Sequence, residues 1–290
     1  MESFLQQIFA GLTSGVIYAS LGVALVMIYR ATGHLNFAQG ELATFCTFIS
    51  LTLIGLGVPY WIAFVATLAI SFCGGASLWA YIVRPIGDKS RVAPIAALIG
   101  VFLIVNSLAG LLWGHDTQNY PSPFVEFSWL SNPYLSAHEV GTVVVVGLVS
   151  LALHMFFRYT KVGLAMRACA ENPTSSHLVG VPVDQMLSMG WGISTALGAL
   201  AGMLVAPIVY LDPNMMGGVL IYGFAAALLG GITSPVGALV GGVIVGVAEN
   251  LIGFYIIGTE IKLSIALMLI IATLLFKPAG LFGKAVASRV

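Results

Sequence analysis

Apolar stretches of membrane length run through this chain from end to end, and its cations are gathered almost entirely in the connections between them. Hydrophobic residues fill 59% of the 290 positions and charged residues 8%, against about 25% charged residues in a soluble domain. A surface that poor in charge cannot be held in water, so the chain reads as an all-α, polytopic transmembrane helix bundle. Crossing ~30 Å of hydrocarbon takes about 20 mostly apolar residues per helix. Segments 5–29, 37–56, 60–83, 93–113, 139–157, 186–210 and 261–276 meet or approach that length. The stretch 218–253 is different, because Gly230-Gly231-Ile232-Thr233-Ser234-Pro235-Val236-Gly237 interrupts it, and glycine and proline break helices. It reads as two short crossings or as a re-entrant pair, giving nine or seven spans, about eight. Backbone freed at such a break is tolerated only inside protein or beside a water-filled cavity.

Charge asymmetry orients the helices. Arg84, Lys89 and Arg91 lie in one connection, Arg158, Lys161 and Arg167 in a second, and Lys277, Lys284 and Arg289 in the C-terminal tail. The connection 115–138 holds no Lys or Arg, only the acidic Asp116 and Glu126. By the positive-inside rule the basic segments, the connection 158–185 among them, face the cytoplasm, and 115–138 faces outward. The N-terminus then lies outside and the C-terminus inside. The opening Met1-Glu2 has no cationic region and reads as the start of a retained helix rather than a cleaved signal. No polar stretch reaches the size of a soluble domain, so residues 1–290 read as a single transmembrane domain.

Several chemistries lack their residues. Cys46, Cys73 and Cys169 have no CxxC spacing and HExxH is absent, which argues against a disulfide or metal site. No GxxxxGK[ST] loop, GxSxG elbow or paired acidic motif occurs. The chain reads as neither an enzyme nor a cofactor protein, and its zero net charge gives no sign of nucleic-acid binding. Small residues recur at four-residue spacing in Gly11/Gly15, Gly110/Gly114, Gly198/Gly202, Gly237/Gly241 and Gly242/Gly246. Such pairs let helix backbones approach closely.

Polar groups at depth are the functional candidates. In Thr32-Gly33-His34-Leu35-Asn36-Phe37-Ala38-Gln39-Gly40-Glu41, two glycines bracket Asn36, Gln39 and Glu41 just before a helix. Glu41 either complements the helix dipole or serves a pathway. Glu249-Asn250 follows the glycine break; Glu249 is either a functional intramembrane carboxylate or a solvated group near the outer interface. Asn106 reads as an interhelical hydrogen-bonding residue. One Gly-interrupted polar segment in each half suggests a pathway between halves. The stretch 163–181 reads as two short helices, the first about 163–171, with Asn172 capping the second, Pro173 at its N1 position and Gly180 ending it. Its Ala-rich composition suits a groove on another protein better than lipid. The rings Tyr120, Phe124, Phe127, Trp129 and Tyr134 of the outer connection read as a docking face or as an interfacial aromatic belt.

Four stretches carry a resemblance. Gly15-Val16-Ile17-Tyr18-Ala19-Ser20-Leu21-Gly22, followed by Ile28 to Gly33 and Asn36 to Leu42, resembles the opening of the smaller, H-type permease of branched-chain amino-acid ABC importers. The stretch 163–180 resembles that family's Gly-x-Ala-Met-Arg-Ala…Asn/Asp-Pro…Gly-Ile coupling loop, with Val181 in place of Ile. The segment 225–249 and the ending Phe276-Lys277-Pro278-Ala279-Gly280-Leu281-Phe282-Gly283 also resemble it, Lys277 standing where Arg is commoner. The resemblance implies a bacterial inner-membrane permease subunit for branched-chain or other hydrophobic amino acids. Urea, amides or other amino acids, or an ion-coupled carrier, are the alternatives. It implies as partners a second homologous permease, two cytoplasmic ATP-binding subunits and a periplasmic substrate-binding protein. ATPase coupling falls to Gly163, Ala165, Met166, Arg167, Ala168, Glu171, Asn172, Pro173 and Gly180. The substrate pathway is assigned to Tyr18, Asn36, Gln39, Glu41, Asn106, Gly230, Gly231 and Glu249.

Overall fold

The computed structural model describes residues 2–87, 93–124, 135–258 and 261–283; Lys89, Arg91, Glu126, Phe127, Trp129, Tyr134, Lys284 and Arg289 lie outside them. The described residues form helices α1 (Glu2–Thr32), α2 (Gln39–Gly55), α3 (Tyr60–Leu78), α4 (Arg84–Gly87), α5 (Ala93–Trp113), α6 (Ala137–Tyr159), α7 (Lys161–Glu171), α8 (Pro173–Leu178), α9 (Val183–Val209), α10 (Met216–Gly230), α11 (Pro235–Ile252) and α12 (Lys262–Phe276). π-Helical turns at Trp79–Val83 and Gly253–Ile257 extend α3 and α11. Among the described residues, six stretches are long and apolar enough to cross a membrane: Ser3–Arg30, Tyr60–Gly87, Ala93–Trp113, Ala137–Tyr159, Val183–Val209 and Pro235–Ile256. Helices α10 and α12 are apolar and shorter, and α2 has 17 residues.

The described chain groups into two compact units. One comprises Met1–Val26, Phe124–Val146 and Gly218–Val290. It contains the helix break, which runs from the end of α10 at Gly230 to Pro235, the first residue of α11. Gly231 takes a left-handed φ of +112° there, which glycine adopts without a Cβ penalty. Ser234 caps α11, its hydroxyl accepting from Gly237 N at 3.0 Å, and Pro235 occupies a position that needs no donor. The freed carbonyls of α10 are met by the C-terminal segment: Leu281 N donates to Leu229 O at 2.8 Å and Phe282 N to Gly230 O at 2.9 Å. That contact needs bare backbone, and a Cβ on Gly280 or Gly231 would strike the other strand of chain.

The same unit carries a glycine seam. A Cβ at Gly15 of α1 would lie 2.8 Å from Gly242 O of α11, one at Gly11 2.7 Å from Val247 Cα, and those at Gly242 and Gly246 would strike Ala19 and Gly15. The four-residue spacing read from sequence is thus a line of backbone-to-backbone contact, the geometry small residues allow. Tyr18, Tyr222, Ala225, Ala226, Val245 and Ala266 form a buried cluster beside it.

The second unit comprises Met27–Pro123 and Gly147–Gly217. Helix α9 is its spine: Gly192 meets Phe72 and Gly75 meets Trp191 O on the α3 side, while Gly198 and Gly202 admit Gln39 and Thr47 of α2. Ile28, Leu78, Trp79, Val83, Leu98, Leu187 and Trp191 make its buried apolar cluster. Gly110/Gly114 is not a helix seam: Gly110 makes room for the His115 ring, and Gly114 ends α5 with φ +83°.

The seam gives a direct expectation. Gly242→Val forces a branched side chain into backbone and destabilises by about 3 kcal/mol, the upper end for overpacking. Gly74→Ala, with open space around it, gains up to about 1 kcal/mol in helix propensity. Thermal unfolding of the detergent-purified variants checks both signs.

Candidate functional site

Of the polar residues at the α1–α2 junction, Asn36, Gln39 and Glu41 are buried and His34 is half-buried. Asn36 Oδ1 accepts from Ala38 N at 3.1 Å, turning the chain into α2, and its Nδ2 donates to Gln39 Oε1 at 2.9 Å. Gln39 Nε2 donates to Ser194 O of α9 at 2.9 Å, through the space left by Gly198. Glu41 is only 3% exposed, in the first turn of α2. Its Oε2 accepts from Asn106 Nδ2 of α5 at 3.0 Å. The same amide also points at Asn214 Oδ1 (3.0 Å) and Pro213 O (3.2 Å) in the α9–α10 connection. Asn106 is therefore an interhelical hydrogen-bonding residue that binds Glu41 to that connection. The connection is itself held in shape: Tyr210 has φ +64°, Leu211 pairs with Gln118, and Asp212 Oδ1 accepts from Asn214 N at 2.8 Å.

Glu249 lies in the other unit and is 6% exposed, so it is not a solvated interfacial group. Tyr18 of α1 donates its hydroxyl to Glu249 Oε2 at 2.8 Å, and the Tyr222 ring of α10 stacks on Tyr18 with centroids 4.5 Å apart and 9° between planes. Asn250 Nδ2 donates to Gly246 O at 3.1 Å, and its Oδ1 accepts from Lys262 Nζ at 3.1 Å. Lys262 also acts electrostatically on Glu249. Sequence reasoning named Tyr18 and Glu249 and missed Tyr222 and Lys262. The available signal was that Lys262 stands alone, the one Lys or Arg between Arg167 and Lys277. Gly230 and Gly231 sit at the helix break, where they serve backbone packing.

Helices α7 and α8 form a capped pair. Thr160 caps α7 by accepting from Gly163 N at 2.9 Å, and Asn172 caps α8 by accepting from Ser175 N at 2.9 Å. Pro173 is at the start of α8 and Gly180 turns left-handed at φ +85°. One face is fixed inward. Gly163 abuts the backbone of Phe156 and Phe157, and Met166 is buried with Cε against Gly190 of α9. The buried Cys169 thiol meets Ser176 of α8, and burial pushes that thiol up from its ordinary range. Ala165 is half-buried, while Arg167, Ala168, Glu171, Asn172 and Pro173 are exposed. Leu178 and Val179 are 82% and 79% exposed. Nearby, Arg84 bridges to Asp184 at the start of α9 at 2.7 Å, an exposed pair of small energetic weight.

Two rings of the 115–138 connection depart from expectation. Tyr120 and Phe124 are buried, so neither is a docking ring nor part of an aromatic belt. Tyr120 shares a 2.7 Å hydrogen bond with Ser50 of α2, and Phe124 fills the space at Gly141 of α6. Among the described residues, no group of three or more His, Cys, Asp or Glu is placed to hold a metal.

The profile of the family described as "Branched-chain amino acid transport system / permease component" matches residues 7–274. The chain is 32% identical to the high-affinity branched-chain amino acid transport system permease protein LivH of Salmonella typhimurium, over 99% of this chain and 98% of that protein. It is 30% identical to the corresponding protein BraD of Pseudomonas aeruginosa, over 99% and 98%. A solved structure, PsaBC from Streptococcus pneumoniae in complex with Fab, is similar with a TM-score of 0.51 at 15% identity, over 93% of this chain and 91% of that one. At that identity the likeness concerns the fold.

Asn106→Leu strips a buried carboxylate of its donor and should destabilise by about 2 kcal/mol, read as a lowered unfolding midpoint. Asn172→Ala removes the α8 cap at a cost of about 1 kcal/mol. Amide exchange at Ser175 should rise roughly five-fold, with the transmembrane helices unchanged.

Proposed function

The chain belongs to the family of branched-chain amino acid transport permease components, and on that premise we propose that it is one permease subunit of an ATP-driven, binding-protein-dependent importer. Its cargo is branched-chain or other hydrophobic amino acids. It works with a second homologous permease, two cytoplasmic ATP-binding subunits and a periplasmic substrate-binding protein. It lies in a bacterial inner membrane as a single transmembrane domain of about eight spans, N-terminus outside and C-terminus in the cytoplasm. The basic residues of 158–185 and the cation-free connection 115–138 support that orientation.

The observation that carries this reading is the two-sided α7–α8 pair. Its inner face is held by Gly163, Met166 and Cys169, and its outer face presents Arg167, Glu171, Leu178 and Val179. Exposed leucine and valine beside charged groups suit a protein partner. The ATPases grip that outer face, while Met166 passes their motion to α9. Nucleotide-driven movement of the pair then rocks the helices between outward- and inward-open states. A ligand shifts such an equilibrium only through differential affinity, so the loaded binding protein favours the outward-open form. Tyr18, Asn36, Gln39, Glu41, Asn106 and Glu249 provide the polar positions along the substrate's route, and Gly230 and Gly231 the interruption that a route needs.

Arg167→Glu should cut ATP-dependent leucine uptake in proteoliposomes at least ten-fold, with membrane insertion intact. Normal uptake by that variant, with the ATPase subunits still co-purifying, would refute the docking reading. Concentrative leucine uptake driven by an ion gradient without any ATPase would refute the importer itself.

A further inference from the structure

A carboxylate and an ammonium placed among apolar helices are expensive, and where both persist they mark function more often than stability. Glu249 and Lys262 are such a pair within one unit, on α11 and α12. The lysine is led inward by construction: its stem lies over Gly253, where a Cβ would come within 2.9 Å of Lys262 Cγ and Cε. Gly253 opens the π-helical turn that follows α11. The ammonium thereby reaches Asn250 Oδ1 at 3.1 Å, next in sequence to Glu249, whose carboxylate is covered by the Tyr18 hydroxyl at 2.8 Å. Small apolar residues, Ala225, Ala226, Val245 and Ala266, surround the stacked tyrosines.

We propose that Glu249 and Lys262 form the head-group site for the transported amino acid, Glu249 receiving the α-ammonium and Lys262 the α-carboxylate. The inference rests on the reading of the chain as an amino-acid permease and adds Lys262 to it. An amino acid enters as a zwitterion, and both charges lose hydration on passing into apolar helices. A site holding one charge of each sign is neutral when empty, because its members compensate each other. It stays neutral when loaded, because the substrate brings one charge of each sign: Glu249 exchanges the Tyr18 hydroxyl, and Lys262 the Asn250 amide oxygen, for the opposite charge of the substrate. Tyr18 supplies the reversible cover: its O–H occupies the carboxylate oxygen that the ammonium takes. A lone carboxylate would bind amines, and a lone lysine would bind carboxylic acids. The pair selects the molecule that carries both, while the small apolar neighbours accept an aliphatic side chain.

The test uses the complete importer in proteoliposomes, with radiolabelled leucine delivered by its binding protein and ATP hydrolysis measured in parallel. Glu249→Gln and Lys262→Met should each lower leucine delivered per ATP hydrolysed at least ten-fold. Lys262→Arg, which keeps the charge, should retain at least half. The double variant Glu249→Gln/Lys262→Met has no unpaired charge and should deliver no more than either single variant. Recovery of delivery in the double variant would reduce the pair to a structural staple and overturn the proposal, as would unchanged delivery in both single variants. Wild-type importer that fails to take up leucine with ATP would instead refute the amino-acid importer reading beneath it.

Discussion

The carbonyls that α10 leaves free at Leu229 and Gly230 set the terms for one half of the molecule. Buried carbonyls left without partners are costly, so a helix that stops inside protein must find its donors there. Here they come from Leu281 and Phe282 of the C-terminal segment, which reaches them because Gly231 and Gly280 have no side chains to keep the chains apart. With the break closed in this way, α11 restarts at Pro235 against α10. Its glycines at 242 and 246 then fall against Gly15 and Ala19 of α1. That seam fixes the height at which Tyr18 meets Glu249. The intramembrane carboxylate is thus positioned by a chain of backbone contacts that begins at the break.

The two buried carboxylates are handled in different ways, each within its own unit. Glu41 is met by an uncharged amide that is shared with a neighbouring loop, so its surroundings gather acceptors: Asn214 Oδ1, Pro213 O and the nearby Asp212. Glu249 is met by a phenol and has a lysine within electrostatic reach. A carboxylate without a cation depends on neutral donors for its stability, and losing one costs the desolvation of a charge. A carboxylate with a cation is compensated before any substrate arrives.

Much of this was legible in the sequence because membrane constraints are blunt. Length and apolarity marked the helices, and the Gly-Gly…Pro run marked the break. The Asn172-Pro173…Gly180 pattern gave the α7–α8 pair its cap and stop, since capping is local chemistry. What escaped was three-dimensional. Tyr120 and Phe124 sit in a connection that reads as exposed, yet Ser50 and Gly141 make places for them inside. Lys262 stands at the start of α12, where a cation is unremarkable by position. Only the approach of α12 to Asn250, over a glycine in a π-turn, turns it into an inward-facing charge. The resemblance of their loop assigns Met166 and Arg167 together to ATPase coupling, but on a helix adjacent residues point about 100° apart, and Met166 is buried while Arg167 is exposed.

That last distinction bears on how force could cross the second unit. Arg167, Leu178 and Val179 face outward, so a load applied to them reaches the helices only through the inward residues of the same pair. Met166 lies on Gly190, two residues before Gly192, where α9 closes on Phe72 of α3. Further along α9, Gly198 holds the Gln39 amide of α2, two residues from Glu41. The packed route from the outer face of α7 to the buried carboxylate is therefore short and carried by one helix. Contiguity alone does not make coupling, which also needs an element with two discrete arrangements. Helix α9 is suited to that role because bare glycine backbone lines several of its contacts. Each of those contacts seats a neighbour's side chain, Met166, Phe72, Gln39 or Thr47, directly on the α9 backbone.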